Sequence, residues 1–316
     1  MDENPDGMIV VLGVTGAGKS YLVNQLMDGA VKEGKTLHAE TATCQAVEIE
    51  LDYQYGGEKR RITVVDTPGF NDTTRPDGEI LAEISEFLAA QRGSRIPLRG
   101  ILYLHKITGN RMTGSDETYL SLLESLVGDE ALPNVILVTT MWNKMRDEDE
   151  AEGMQREQDL IDNYWAPLIS KGSFNAQFDG TSECAFSLVS QLAARDSIVL
   201  KVQKEVWDEE KPIIRTTAGQ KLWNKLSTRK ESLERRLTDV DKRIQAGTSG
   251  LRTERSSIQA VLSRIARSFT KMSERPGPGF KSRIAEIVAG TGATGQTIRM
   301  LMTLFNIALF VVSVIP

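Results

Sequence analysis

Cysteine and histidine are nearly absent from this chain, with two of each in 316 residues. Cys44 and Cys184 lie far apart, which argues against a disulfide framework and fits a reducing compartment. The cysteines and histidines share no metal-ligand spacing, so no zinc site is expected. The opening MDENPDG is acidic and polar, without a secretory signal or a basic transit peptide. A cytoplasmic protein is therefore expected. Long apolar runs are also scarce. The exception is Met300–Pro316, 17 residues without a charge.

What remains is ordinary for a soluble globular protein: 40% hydrophobic and 26% charged, long enough for one sizeable domain plus something extra. The net charge of −5 hides an asymmetry. Residues 1–200 carry 32 acidic and 17 basic side chains, residues 201–272 carry 9 and 17, and residues 273–316 carry 2 and 4. An acidic front and a basic rear imply different surroundings for the two parts.

Gly13-Val14-Thr15-Gly16-Ala17-Gly18-Lys19-Ser20 fits G-x-x-x-x-G-K-[ST] without mismatch. An apolar, β-branched run (Met8–Leu12) precedes it, and apolar residues at helical spacing (22, 23, 26, 27) follow. Strand, glycine loop and helix start gather backbone N–H groups around one point, which attracts phosphate. Gly13, Thr15, Gly16, Ala17, Gly18, Lys19, Ser20 and Tyr21 are the expected phosphate cradle. Lys19 reaches the β- and γ-phosphates and the Ser20 hydroxyl suits Mg²⁺. Asp66-Thr67-Pro68-Gly69 follows a second strand-like run about 50 residues later. Its Asp66 carboxylate can hold Mg²⁺ through water, and the Gly69 N–H can sense a γ-phosphate. At this spacing the two motifs point to a GTPase-type switch rather than an ATPase core.

Further strands are expected over 44–55 and 60–65 (an antiparallel hairpin turning at Gly56-Gly57), 100–105, 134–140 and 173–178. Helices are expected around 80–88, from Ser115 as a cap through 127, around 155–170 and from Glu183. This alternation predicts an α/β fold: a P-loop NTPase with a Ras-like G domain over residues 1–200, a mostly parallel sheet with one antiparallel strand, and helices on both faces. The ligand should sit at the carboxyl ends of the strands.

Over 201–272, Leu237, Ile244, Leu251, Ile258, Ile265 and Met272 recur every seven residues. This predicts a basic, coiled-coil-like helical extension, either one long helix or a hairpin turning at 246–250. Residues 273–296 hold enough glycine and proline to read as a linker. The apolar segment 297–316 reads either as a C-terminal membrane anchor or as a helix docking into a groove of the protein.

GVTGAGKS, Glu40-Thr41-Ala42-Thr43-Cys44-Gln45 and DTPGFND together resemble the immunity-associated (GIMAP-type) GTPases, relatives of the septins and of the chloroplast-import receptor GTPases. HKITGNRMTGS and VTTMW resemble the fungal G-domain proteins of that group. The resemblance spans roughly residues 8–200. It implies a GDP/GTP switch with Mg²⁺, pairing of G domains into a homodimer, and in many members a C-terminal membrane segment. It points to no nucleic-acid partner. It places Thr41, with Thr43 as the alternative, as the first-switch threonine that ligates Mg²⁺ and contacts the γ-phosphate. It also places Arg111 where an arginine reaches into the partner's active site. His105 reads as structural.

Two positions depart from the pattern. Phe70 stands after Gly69, where Ras-type proteins carry a water-orienting glutamine, so a lone subunit should hydrolyse slowly. In the base-reading string, Thr140-Met141-Trp142-Asn143, the last residue is an asparagine where the family expects aspartate. Asparagine offers guanine one acceptor instead of two. A shifted reading, Asn143-Lys144-Met145-Arg146, ends in the wrong charge. Trp142 either stacks on the base or packs on the sheet, and Thr181 belongs to a loop that closes over the base. A septin-like, nucleotide-bound scaffold with little turnover is the alternative function.

Overall fold

The computed structural model describes residues 7–27, 45–52, 59–109, 112–145, 149–291, 295–305 and 308–311. Its centre is a seven-stranded sheet in the order β6-β5-β4-β1-β3-β2-β7. The strands are β1 (Gly7–Gly13), β2 (Gln45–Asp52), β3 (Lys59–Asp66), β4 (Leu98–Lys106), β5 (Val135–Thr140), β6 (Phe174–Gln177) and β7 (Ala308–Val311). Only β2 and β3 pair antiparallel; every other pairing is parallel. Met8, Ile9, Val10, Val11 and Leu12 are fully buried, as their unbroken apolar run requires of a central parallel strand.

The chain leaves β1 toward β3 through α1 (Lys19–Leu26), then crosses back over β1 to β4 through α2 (Asp77–Gly93). Right-handed crossovers in opposite directions put these helices on opposite faces. The reversal opens a crevice at the carboxyl end of β1. α3 (Gly114–Val127) follows β4, and α4 (Glu150–Leu160) continues through a π-turn (Ile161–Trp165) into α5 (Ala166–Ile169). α6 (Ser182–Ala193) packs beside α1. The expected cap of α3 was Ser115. The cap is Thr113, whose hydroxyl accepts the Asp116 N–H while the Asp116 carboxylate accepts the Thr113 N–H.

After the short α7 (Lys201–Gln203), the basic extension forms two helices, α8 (Thr217–Gln245) and α9 (Arg252–Glu274), with Gly247 and Gly250 in the turn between them. The turn thus takes the hairpin alternative. α8 packs on α3 and α9 on α2. Leu226, Val240, Ile258, Ile265 and Met272 are buried, and the Trp223 and Phe269 rings lie 3.9 Å apart. The stretch read as a linker holds α10 (Phe280–Thr291), which buries Phe280 and Ile284.

The uncharged C-terminal stretch is not one helix. α11 (Gly295–Leu304) buries Ile298, Leu301 and Met302, and β7 then joins the sheet edge, Gln45–Glu48 lying in register with Ala308–Val311. Among the described residues no helix is long and apolar enough to cross a membrane.

Candidate functional site

β1 delivers the chain into the crevice at Gly13. The glycine loop then turns into α1 through Gly18, whose φ of 88° is a left-handed cap that side-chain-bearing residues adopt at a cost. Lys19 is buried, and its Nζ donates to the carbonyls of Val14 at 3.0 Å and Gly13 at 3.4 Å. Burial lowers its pKa, opposed by the nearby carboxylates of Asp66 and Asp72. Its ammonium group thus lies over the loop that would hold phosphate.

Asp66 ends β3 with no exposed surface, and Ser20 Oγ donates to its Oδ2 at 2.6 Å. Its Oδ1 is buried without a hydrogen-bond partner among the described residues. Burial pushes the Asp66 pKa up to about 6, against the pull of Lys19 and the Ser20 hydrogen bond. A buried, half-satisfied carboxylate beside a hydroxyl is an all-oxygen donor pair that fits Mg²⁺, directly or through water.

The segment after Asp66 is strapped to the glycine loop. Thr67 Oγ1 donates to the Val11 carbonyl at 2.7 Å and Thr15 Oγ1 to the Gly69 carbonyl at 3.0 Å. The Thr15 N–H meets the Phe70 carbonyl at 2.8 Å and the Phe70 N–H meets the Gly13 carbonyl at 3.3 Å. A Cβ on Gly69 would come within 2.5 Å of the Thr15 nitrogen and 2.7 Å of Lys19 Nζ, so only glycine permits this approach. Phe70 is buried and stacks on Tyr119 with centroids 5.5 Å apart. Tyr119 in turn donates to Asp77 Oδ2 at 2.9 Å.

The base-side residues gather at the end of β5. Thr140 Oγ1 is buried and donates to the Ala17 carbonyl at 2.8 Å, tying β5 to the glycine loop. Trp142 is half-buried and its Nε1 donates to Thr139 Oγ1 at 3.1 Å, which favours packing over stacking. Asn143 is exposed. Tyr21 donates to the Gly180 carbonyl at 3.1 Å. Thr181 caps α6, its N–H and hydroxyl both donating to Asp179 Oδ1. His105 is half-buried edge-on to Trp165, and burial lowers its pKa. Thr41, Thr43 and Arg111 lie outside the described residues.

Two contributors were given no role by the sequence, although Asp72 closes the DTPGFND string. Burial raises the pKa of Asp72, yet hydrogen bonds from Thr74 and the Arg75 N–H outweigh it and hold the carboxyl below its ordinary value, so it adds negative charge near Lys19. Arg264 of α9 donates to the backbone carbonyls of Asp72, Thr73 and Arg75. Its only signal in the sequence was the basic excess of the extension.

Glycine loop, buried Asp66 and the Gly69 strap at the carboxyl end of a mostly parallel sheet define the chain's front part as a P-loop G domain. Residues 7–162 match the AIG1 family. Neuronal-specific septin-3 of Danio rerio is 29% identical over 169 residues, covering 48% of this chain and 45% of that protein. Septin-4 of Rattus norvegicus is 37% identical over 90 residues, covering 27% of this chain and 19% of that protein. The chain therefore spans less than half the length of these septins. Toc33 from Arabidopsis thaliana, solved in complex with Mg²⁺ and GMPPNP, is 18% identical with a TM-score of 0.46, covering 61% of this chain and 88% of that one.

Proposed function

We propose that this protein is a Mg²⁺-dependent guanine-nucleotide switch that hydrolyses GTP to GDP, with turnover completed by pairing of two G domains. The observation that carries the reading is the convergence of Lys19, Ser20, Asp66 and Gly69 on one loop. Backbone N–H groups of Gly16, Gly18 and Lys19 at the start of α1 cradle the phosphates. Lys19 shifts from the Val14 carbonyl to the phosphate oxygens and offsets their charge. Ser20 and Asp66 would hold Mg²⁺, which would supply positive charge against the phosphates. Gly69 offers its N–H to the γ-phosphate, and Thr41 closes the other side as the first-switch threonine.

Phe70 supplies no group to orient water, since its ring is buried against Tyr119. That supports completion of the site from outside, with Arg111 of a second copy as the charge-neutralising group. Turnover per subunit should rise with protein concentration in the micromolar range; a flat profile contradicts the pairing. The buried Phe70 and the asparagine at 143 also favour a second reading, a nucleotide-bound scaffold with little turnover. Phosphate release by the wild type, compared with Lys19→Ala, separates the two.

Membrane tethering through 297–316 belongs to this reading with one condition. α11 and β7 are engaged with the domain, so the segment reaches lipid only by leaving the sheet edge. Flotation with liposomes, before and after removal of 297–316, tests it.

A further inference from the structure

Asn143 stands where three elements meet beside the glycine loop. β5 ends at Thr140, which is tied to the Ala17 carbonyl, and Met141 then turns the chain with a φ of 67°. From the opposite side comes the 179–182 loop, held to α1 by the Tyr21 hydroxyl on the Gly180 carbonyl. The two sides are close: a Cβ on Gly180 would lie 3.2 Å from Asn143 Nδ2 and 3.5 Å from the Tyr21 ring. Asn143 is exposed into this mouth, free to meet the edge of a purine whose phosphates lie on Gly13–Ser20.

The chemistry of that edge is specific. Guanine presents two neighbouring donors, N1–H and the C2 amine, which a carboxylate accepts together. A primary amide offers one acceptor and one donor. Its complement is a purine with N1–H beside a carbonyl at C2, which is xanthine. With guanine, the amide nitrogen faces the C2 amine, donor against donor. Asp179 does not replace the missing carboxylate, because its Oδ1 accepts both the N–H and the hydroxyl of Thr181 and fixes the loop. Glu183, in the first turn of α6, is a further carboxylate beside this loop.

We infer that Asn143 sets the base preference of the site, so that xanthine nucleotides bind at least as tightly as guanine nucleotides. The inference rests on the reading of Gly13–Ser20 as a nucleotide site. A site built for one hydrogen-bond pattern rejects the mismatched one by roughly tenfold or more.

The experiment is a titration of the full chain with XDP, GDP and IDP in Mg²⁺, repeated with Asn143→Asp and Glu183→Gln. The expected result is a dissociation constant for XDP no larger than that for GDP, with Asn143→Asp shifting the ratio at least tenfold toward GDP. Tighter binding of GDP than XDP by the wild type overturns the inference, as does an unchanged ratio in Asn143→Asp. Weaker binding of GDP with unchanged binding of XDP in Glu183→Gln overturns it as well, by showing that Glu183 reads guanine. Binding of none of the three would instead contradict the nucleotide site itself. The two failures are therefore distinguishable.

Discussion

The Gly78 N–H donates to Ser268 Oγ across 3.2 Å, joining the first turn of α2 to the middle of α9. A Cβ on Gly78 would stand 2.6 Å from the Ser268 Cβ and carbonyl oxygen. The basic hairpin therefore sits on the G domain at backbone contact, directly after the strap that covers the glycine loop. Gly78→Ala should push α2 and α9 apart and destabilise the protein by about 1–3 kcal/mol. A urea or thermal denaturation comparison reads this. An unchanged midpoint would mean the contact adapts freely.

Arg264 caps the same segment through the carbonyls of Asp72, Thr73 and Arg75. Replacement by alanine removes three charge-assisted bonds; replacement by lysine removes the planar fork. Hydrogen exchange over residues 71–78 should quicken several-fold in Arg264→Ala and by less in Arg264→Lys. Equal protection in all three proteins would deny Arg264 this role.

Asp66 makes both metal binding and stability depend on pH. Burial raises its folded pKa to about 6 from an ordinary 3.8, so folding favours the protonated acid. That contribution is fully present below the unfolded pKa and is lost as pH rises through about 6. In Mg²⁺-free buffer, the stability of the wild type relative to Asp66→Asn should fall between pH 4 and pH 7. Mg²⁺ needs the ionised carboxylate, so its apparent affinity should weaken roughly tenfold per pH unit below about 6. Asp66→Asn should show neither dependence.

Phe70 occupies the position at which a glutamine would orient water, but its ring belongs to the core against Tyr119. Phe70→Gln should lower stability by about 2–4 kcal/mol, since a buried amide replaces a stacked ring. It should not raise single-subunit turnover. Faster phosphate release in Phe70→Gln at low protein concentration would show that the glutamine reaches water after all.

Most of the fold was legible because its signals are local and dense. Met8–Leu12 and Val135–Thr140 could only be central strands, and Gly13–Ser20 and Asp66–Gly69 announce phosphate chemistry at fixed offsets. The cap of α3 was missed by two residues because Ser115 and Thr113 are both good caps, and only the reciprocal bond with Asp116 decides between them. The strand at 308–311 was not legible. Its apolar run suits a membrane, a helix or a sheet edge equally, and the choice depends on the open flank of β2, more than 260 residues away in sequence. The grip of Arg264 on residues 72–75 was hidden for a similar reason. A charged residue on a basic helix carries no mark of the carbonyls it will meet, and the contact exists only once the hairpin folds back onto α2.

The central claim is that Gly13–Ser20 binds a nucleotide with Mg²⁺ through Lys19, Ser20 and Asp66. Equilibrium titration of a fluorescent GDP analogue and its XDP counterpart into the full chain, with and without Mg²⁺, tests it most directly when run beside Lys19→Ala and Ser20→Ala. The account predicts binding of at least one analogue by the wild type, loss of a hundredfold or more in Lys19→Ala, and loss of the Mg²⁺ dependence in Ser20→Ala, in line with charge-assisted phosphate contacts of about 3 kcal/mol. Binding that is absent from the wild type, or that survives unchanged in Lys19→Ala, would contradict it.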